Sequence, residues 1–166
     1  MMKKTQKKLN IGWIKFTCSG DSSIMFLEMM NTKWKEWKDL LSIRFLHLLK
    51  GKNSLRNIDV LFVEGAISTK EEEKILKDVR KRCKRLVAIG SCAVYGNPSN
   101  QRNFFDEKTK KEIEPILKKF KHREKVSPIS EIVKVDDIVP GCPMDENEFL
   151  RVLNKYLKEF GVVKDA

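Results

Sequence analysis

Three cysteines stand directly after segments that have the pattern of buried strands. Cys18 follows the apolar segment 11–17, Cys92 follows the run 86–89 and a glycine turn, and Cys142 follows Ile138 and Val139. Thiolates are the ligands that hold iron–sulfur clusters, because soft sulfur suits iron. In open α/β sheets, ligands bind outside the carboxyl ends of the strands. We therefore expect the three thiols to converge on one metal cluster.

A fourth ligand position lies near the first cysteine. The segment Cys18-Ser19-Gly20-Asp21 has the spacing of a Cys-x-x-Cys motif, with a carboxylate in the last place. The small residues between the two ends allow the backbone to wrap closely around a cluster. Asp21 also opens the next predicted helix, so a helix cap is the alternative role of its side chain.

Other interpretations of these residues remain open at this point. Cys92 and Cys142 are also compatible with buried structural cysteines. A zinc site would need a four-ligand set, and the chain has no pair of Cys-x-x-Cys motifs. His47 lies in an apolar run and His122 at a lysine-rich helix end, so we expect both to be structural or solvated. Cys83 follows Ile75 and Val79 at helical spacing, which predicts a small buried side chain on a helix.

The elements that position these residues alternate between strand and helix along the chain. This alternation predicts an α/β fold with a doubly wound, mainly parallel sheet and helices on both faces, in a single flavodoxin-like domain. We place that domain at residues 11–166, after a basic N-terminal tail at residues 1–10. The expected strands are 11–17, 43–49, 59–64, 86–89 and 138–139. The expected helices are 21–41, 68–83, 106–120 and 145–160.

Several local features are predicted with these elements. Ser22 or Ser23 is expected to cap the first helix. Pro115 predicts a kink or a division into two short helices. The segment Ser127–Asp137 is expected to be an extended connection. Large apolar side chains in the first helix predict a partner surface near Cys18, with core packing as the alternative. These side chains are Met25, Met29, Met30, Trp34 and Trp37.

The charge distribution bears on partners and location. The net charge is +11, but acidic residues are mixed into most lysine-rich stretches. This mixture is typical of solvated helix faces, so we expect no nucleic-acid partner, whereas an acidic protein partner remains an alternative. The sequence lacks an apolar stretch of the length that spans a bilayer, and its N-terminus is a poor signal peptide. We expect a cytoplasmic protein without a membrane span.

Four motifs together resemble a known family. They are Trp-Ile-Lys-Phe-Thr-Cys-Ser-Gly-Asp at 13–21, Asp-Val-Leu-Phe-Val-Glu-Gly at 59–65, Gly-Ser-Cys-Ala at 90–93 and Val-Pro-Gly-Cys-Pro at 139–143. The chain resembles the small subunit of nickel–iron hydrogenases, especially the cytosolic, largely archaeal branch with F420-reducing, F420-non-reducing and sulfhydrogenase types.

The resemblance implies an electron-transfer subunit. Its motif positions, here Cys18, Asp21, Cys92 and Cys142, would hold one proximal [4Fe–4S] cluster. Electrons would pass between this cluster and a nickel–iron centre in an obligate large subunit. A further electron-transfer subunit or a ferredoxin would be the next redox partner. The family usually has cysteine where Asp21 stands, although the F420-reducing branch also has aspartate there. Many relatives have further cysteine-rich segments, whereas this chain has no second cysteine set, so we expect one cluster at most.

Two rival functions follow from the same fold. The cluster-carrying 20 kDa subunit of respiratory complex I shares it but usually shows two adjacent cysteines in the first motif. Thr17 precedes Cys18 here, which favours the hydrogenase side. The second rival is a cluster-free flavodoxin-like scaffold in which Asp21 is a lost ligand. Glu64 ends the third expected strand. We expect it to accept hydrogen bonds from amides of the following loop 66–69, with a proton relay as the alternative.

Overall fold

The computed structural model describes residues 7–46 and 53–164, which alternate between strands and helices as the hydrophobic pattern predicts. The strands are β1 Leu9–Lys15, β2 Leu41–Leu46, β3 Ile58–Glu64, β4 Ile67–Thr69, β5 Cys83–Ile89, β6 His122–Ser127 and β7 Asp137–Val139. The helices are α1 Asp21–Leu40, α2 Lys70–Arg80, α3 Gly90–Tyr95, α4 Glu107–Lys119 and α5 Glu146–Glu159, with 3-10 turns at Gln101–Phe104 and Ile129–Glu131. His47, the end of the expected second strand and residues 1–6 of the expected tail lie outside the described residues.

Five strands form the central sheet in the order β2-β1-β3-β5-β7, and each neighbouring pair is parallel. This is the doubly wound, flavodoxin-like order, so the predicted fold class is confirmed. The register brings the carboxyl ends of four strands level, because Glu64 pairs with Lys15 and Ile89, and Ile89 pairs with Val139. Loops that leave these strands therefore start at the same edge of the sheet.

Each face of the sheet has its own apolar core. The core that α1 and α5 cover is aromatic: Trp13 stacks on Phe26 with ring centroids 4.6 Å apart, and Phe149 contacts both rings. The opposite core is mostly aliphatic and includes Leu76 of α2. Strand β3 lies between the two cores and is buried over its whole length, as expected for a central parallel strand.

Two local expectations were wrong, those for Cys83 and for the segment 127–137, and one of the two alternatives at Pro115 is excluded. Cys83 begins β5 and does not lie in α2, which ends at Arg80. The segment 127–137 is not extended throughout, because Ile129–Glu131 forms a 3-10 turn. Strand β6, which pairs antiparallel with β4 in a second, two-stranded sheet, was not predicted. α4 continues through Pro115 as one helix, and so it is not divided in two.

The expected apolar surface on α1 is largely part of the core. Met29 and Trp37 are buried, and Met25 and Met30 pack against the same core. Trp34 remains 52% exposed, and Ile24, near the start of the helix, is 56% exposed. The helix is therefore mainly a core element with two exposed apolar side chains. In the described parts of the chain, no helix has the length and apolarity that crossing a bilayer requires.

Candidate metal centre

The four predicted ligand residues line one depression at the carboxyl edge of the sheet. Cys18 follows β1, Asp21 is the first residue of α1, Cys92 lies in α3 directly after β5, and Cys142 follows β7. The rest of the lining consists mostly of small residues. The whole of this remaining lining is formed by Ser19, Ser22, Glu64, Gly65, Ile89, Gly90, Ser91 and Gly141, of which Glu64 and Ile89 are the two larger residues. The structure therefore brings together the four positions that the sequence singles out.

The thiols differ in their access to solvent. All are free, with Cys92 buried, Cys18 half-buried and Cys142 exposed. Asp21 is exposed and lines the same depression. Cys92 and Cys18 share a small apolar cluster with Ala66 and Val126. The depression thus has an apolar inner side and an open outer side. In the described residues, no group of His, Cys, Asp or Glu side chains is arranged to hold a single metal ion.

Hydrogen bonds between backbones join the loops that carry the thiols. Thr17 and Ala66 exchange two backbone hydrogen bonds, of 3.1 and 2.9 Å, which ties the Cys18 segment to the turn after β3. The amide of Ser91 donates to the carbonyl of Gly141 at 2.7 Å, which ties the Cys92 helix to the Cys142 loop. The second contact links the two segments that carry Cys92 and Cys142, and the first links the Cys18 segment to the turn after β3.

Gly65 permits the first of these contacts. Its φ is +94°, and a Cβ atom there would lie 2.8 Å from the backbone carbon of Phe16 and 3.0 Å from the amide nitrogen of Thr17. Both the left-handed conformation and the close approach require glycine.

Glu64, at the end of β3, caps the N-terminus of α1. Its carboxylate is 3% exposed and accepts hydrogen bonds from the amides of Ser22 and Ser23, both at 3.1 Å. The hydroxyl of Ser23 donates to the same carboxylate, and the hydroxyl of Ser22 accepts from the amide of Met144 at 3.1 Å. The N-cap residue of α1, Gly20, has no side chain that could cap the helix. A buried anion at a helix N-terminus also complements the helix dipole.

This arrangement corrects three expectations. Neither Ser22 nor Ser23 is the cap of α1, since both lie within the helix. Glu64 accepts from the amides of α1 and not from those of the loop after it. Asp21 makes no capping bond and instead accepts a hydrogen bond of 2.8 Å from the hydroxyl of Ser19. The cap interpretation of Asp21 is therefore wrong, and its carboxylate stays at the rim.

The half-buried Cys18 thiol is held in its neutral form. Burial raises its pKa to about 12, the Glu64 carboxylate adds to the rise, and the Gly20 amide and the Lys15 ammonium partly oppose it. A metal ion that binds here must therefore displace a proton, as metals do at thiols generally.

One residue at the site carried no signal in the sequence. The hydroxyl oxygen of Ser99 lies 3.3 Å from the Cys92 sulfur and 3.3 Å from the carbonyl oxygen of Thr17. Ser99 belongs to a polar, irregular stretch outside the four motifs, so only the fold reveals this contact. Cys83 lies at the opposite end of β5 from Cys92 and is half-buried, where a buried side chain was expected.

The sequence profile described as the 20 kDa subunit of NADH ubiquinone oxidoreductase matches residues 18–156. The chain belongs to this family. A relative in it is the delta subunit of sulfhydrogenase 2 of Pyrococcus furiosus, which is 28% identical over 87% of this chain and 60% of its own length. Another is the delta subunit of the NAD-reducing hydrogenase HoxS of Cupriavidus necator, which is 32% identical over 56% of this chain and 52% of its own length. The chain thus spans 52% to 60% of the length of these relatives, and the resemblance that the motifs predicted is confirmed.

Solved structures of the same fold include hydrogenases. A chain of an NAD+-reducing [NiFe]-hydrogenase in the H2-reduced state superposes with a TM-score of 0.74 at 22% identity, over 95% of this chain and 99% of that one. A chain of the Ni-Fe-Se hydrogenase of Desulfomicrobium baculatum superposes with a TM-score of 0.67 at 17% identity, over 93% of this chain and 65% of that one. At these identities the superpositions establish the fold alone.

Proposed function

We propose that this chain is the electron-transfer small subunit of a cytosolic [NiFe] hydrogenase, and that it holds one [4Fe–4S] cluster through Cys18, Asp21, Cys92 and Cys142. The observation that supports this most directly is the depression that these four residues line together. Three loops from separate strands meet there, in a member of a family whose named relatives include hydrogenase subunits.

The residues present fit such a cluster. The site offers three free thiols, and thiolates are the usual ligands of cluster iron. Small residues form most of the remaining wall, so backbone can approach a cluster closely. When bound, the cluster supplies one-electron transfer. The buried side of the site, around Cys92 and Val126, excludes water, whereas Cys142 and Asp21 face outward.

Asp21 is the unusual member of the ligand set. A carboxylate oxygen is a harder and weaker ligand to cluster iron than a thiolate. The rival role of this side chain, the cap of α1, is filled by Glu64. The spacing from Cys18 and the exposed position at the rim support ligation.

Partners follow from what the chain lacks. Its four cysteines comprise three at the depression and Cys83 at the far end of β5, which leaves no set for a nickel–iron centre. We infer that this centre belongs to a large subunit that docks on the open side of the site, where Cys142 is exposed. A further electron-transfer subunit or a ferredoxin completes the path.

Metal analysis of anaerobically purified protein tests the proposal. We expect about four irons per chain and an electron paramagnetic resonance signal of a reduced cluster. Cys92→Ser should lose iron, whereas the matched control Cys83→Ser should keep it. Stoichiometric zinc without iron would refute the proposal. Protein without any bound metal would instead favour the cluster-free scaffold.

A second candidate is the cluster-carrying subunit of a complex-I-like oxidoreductase that turns over no hydrogen. Membership of the family of the 20 kDa subunit of NADH ubiquinone oxidoreductase favours this candidate. The complex purified with its co-encoded large subunit separates the two, because only a hydrogenase reduces an artificial electron acceptor with hydrogen gas. Glu64→Gln in that complex also tests the proton relay: turnover should fall with the cluster intact if Glu64 relays protons.

A further inference from the structure

The hydroxyl of Ser99 connects the two inner loops of the site. It lies 3.3 Å from the Cys92 sulfur and 3.3 Å from the carbonyl oxygen of Thr17, the residue before Cys18. Local backbone hydrogen bonds hold this turn: the amide of Gly96 donates to the carbonyl of Cys92, and the amide of Asn100 donates to the carbonyl of Gly96, both at 2.9 Å. The position of the hydroxyl relative to the sulfur is therefore set by the fold.

Hydrogen-bond capacity decides where the hydroxyl proton goes. A neutral Cys92 thiol can donate to the Ser99 oxygen while Ser99 donates to Thr17. A metal-bound thiolate has no proton, so its sulfur can only accept. The Thr17 carbonyl already accepts from the amide of Ala66 at 2.9 Å, and therefore it keeps a partner if Ser99 turns away. A bond to an anionic sulfur is also stronger than one between neutral groups.

We infer that Ser99 donates its hydroxyl proton to the Cys92 sulfur when that sulfur is a cluster ligand, and that it thereby raises the reduction potential of the cluster. This inference rests on the function proposed above. A reduced cluster carries one more negative charge than an oxidised one, so a donor at its sulfur stabilises the reduced form more. Hydrogen bonds to the sulfurs are among the determinants of cluster potentials. Ser99 is thus a positioning residue that acts through Cys92.

The test is a redox titration of the cluster-loaded full chain, followed by electron paramagnetic resonance. Ser99→Ala removes the donor, and the reduction equilibrium should shift toward the oxidised form on the order of tenfold. For a one-electron couple this is about 59 mV toward more negative potential. Ser99→Thr and Ser99→Val form a matched pair of similar shape: Thr keeps the hydroxyl and should keep the parent potential, whereas Val should behave like Ala.

The outcomes separate this inference from the proposed function. A parent chain that binds no iron refutes the function itself. Iron in all variants with one common potential leaves the function standing and overturns the role of Ser99. Loss of iron in the Ala and Val variants, with retention in Thr, would assign Ser99 to holding the cluster and would also overturn the tuning role. A purely structural effect would lower the unfolding midpoint without a change in potential.

Discussion

Replacing Glu64 by glutamine tests whether one buried carboxylate supports the ligand loop. Glu64→Gln keeps the shape of the side chain and one acceptor oxygen but removes the charge. The carboxylate accepts from the amides of Ser22 and Ser23 and from the Ser23 hydroxyl. These amides are two of the orphan donors at the start of α1, and Gly20 offers them no side chain. The substitution therefore acts on the segment between Cys18 and Asp21.

The magnitude follows from these contacts. One amide bond changes from charge-assisted to neutral, which weakens it by roughly 1 kcal/mol. The other amide then faces the glutamine NH2 group and loses its acceptor, which costs at least about 1 kcal/mol. Loss of a partly buried anion at the helix N-terminus costs roughly 1 kcal/mol more. We expect the free energy of unfolding to fall by about 3 kcal/mol. This is a large share of the roughly 5–15 kcal/mol that is the typical free energy of unfolding of a folded domain.

Urea unfolding of the full, metal-free chain under reducing, anaerobic conditions measures this loss. With a denaturant slope of about 2 kcal/mol/M, the midpoint should fall by about 1.5 M. Glu112→Gln, on the exposed side of α4, is the control and should lie within about 0.5 kcal/mol of the parent. If Glu64→Gln also lies within that limit, the carboxylate does not support the loop and the argument from its contacts fails.

Substitutions at Asp21, Gly65 and Asp137 probe the site and its frame, and Gly161→Ala is the control for Gly65→Ala. Asp21→Cys should keep the cluster with a changed potential, and Asp21→Ala should favour a [3Fe–4S] form; iron counts and spin signals equal to the parent in both would show that Asp21 is not a ligand. Gly65→Ala should cost at least about 3 kcal/mol of unfolding free energy, since φ is +94° and the new Cβ would meet the backbone of Phe16 at 2.8 Å. Gly161→Ala, with φ +63° and no neighbour within 4 Å, should cost only about 1 kcal/mol. Asp137→Asn should cost about 2 kcal/mol at neutral pH: burial raises the pKa of Asp137, but hydrogen bonds from Lys155 and Tyr156 outweigh it and lower the pKa below its ordinary value. A lowered folded pKa means that this contribution is complete above the unfolded pKa, about 3.9, and is lost as the pH falls through the folded pKa, so parent and Asp137→Asn should converge in acid urea titrations.

Features encoded in short stretches were predictable from the sequence. The continuous apolar run of β3 identified a central parallel strand, and the alternation with helices gave the doubly wound order. The convergence of Cys18, Cys92 and Cys142 followed from the rule that parallel strands end at one edge. These inferences succeed because each depends on a local pattern and on one general property of sheets.

Features that depend on distant partners were not predictable. Cys83 continued the spacing of Ile75 and Val79, yet the helix ends before it and the residue pairs with Ile58 in the sheet. Strand β6 has a largely polar sequence because it lies in a two-stranded sheet with exposed positions. The cap of α1 comes from Glu64, more than forty residues away in the chain. No window of sequence around Gly20 contains that information.

The hydrogen bonds that join these loops have a consequence for assembly of the protein. The Thr17–Ala66 pair, the Ser91–Gly141 bond and the Ser22–Met144 bond all form between protein groups alone. For the proposed cluster this means that folding bears the entropy of ordering these loops, and incoming iron and sulfide need not. Assembly of the proposed cluster can then proceed by insertion of iron and sulfide into a site whose loops are already ordered. The amide hydrogens of these hydrogen bonds should resist exchange with solvent before the metal arrives. The metal-free chain should already be able to take up iron and sulfide.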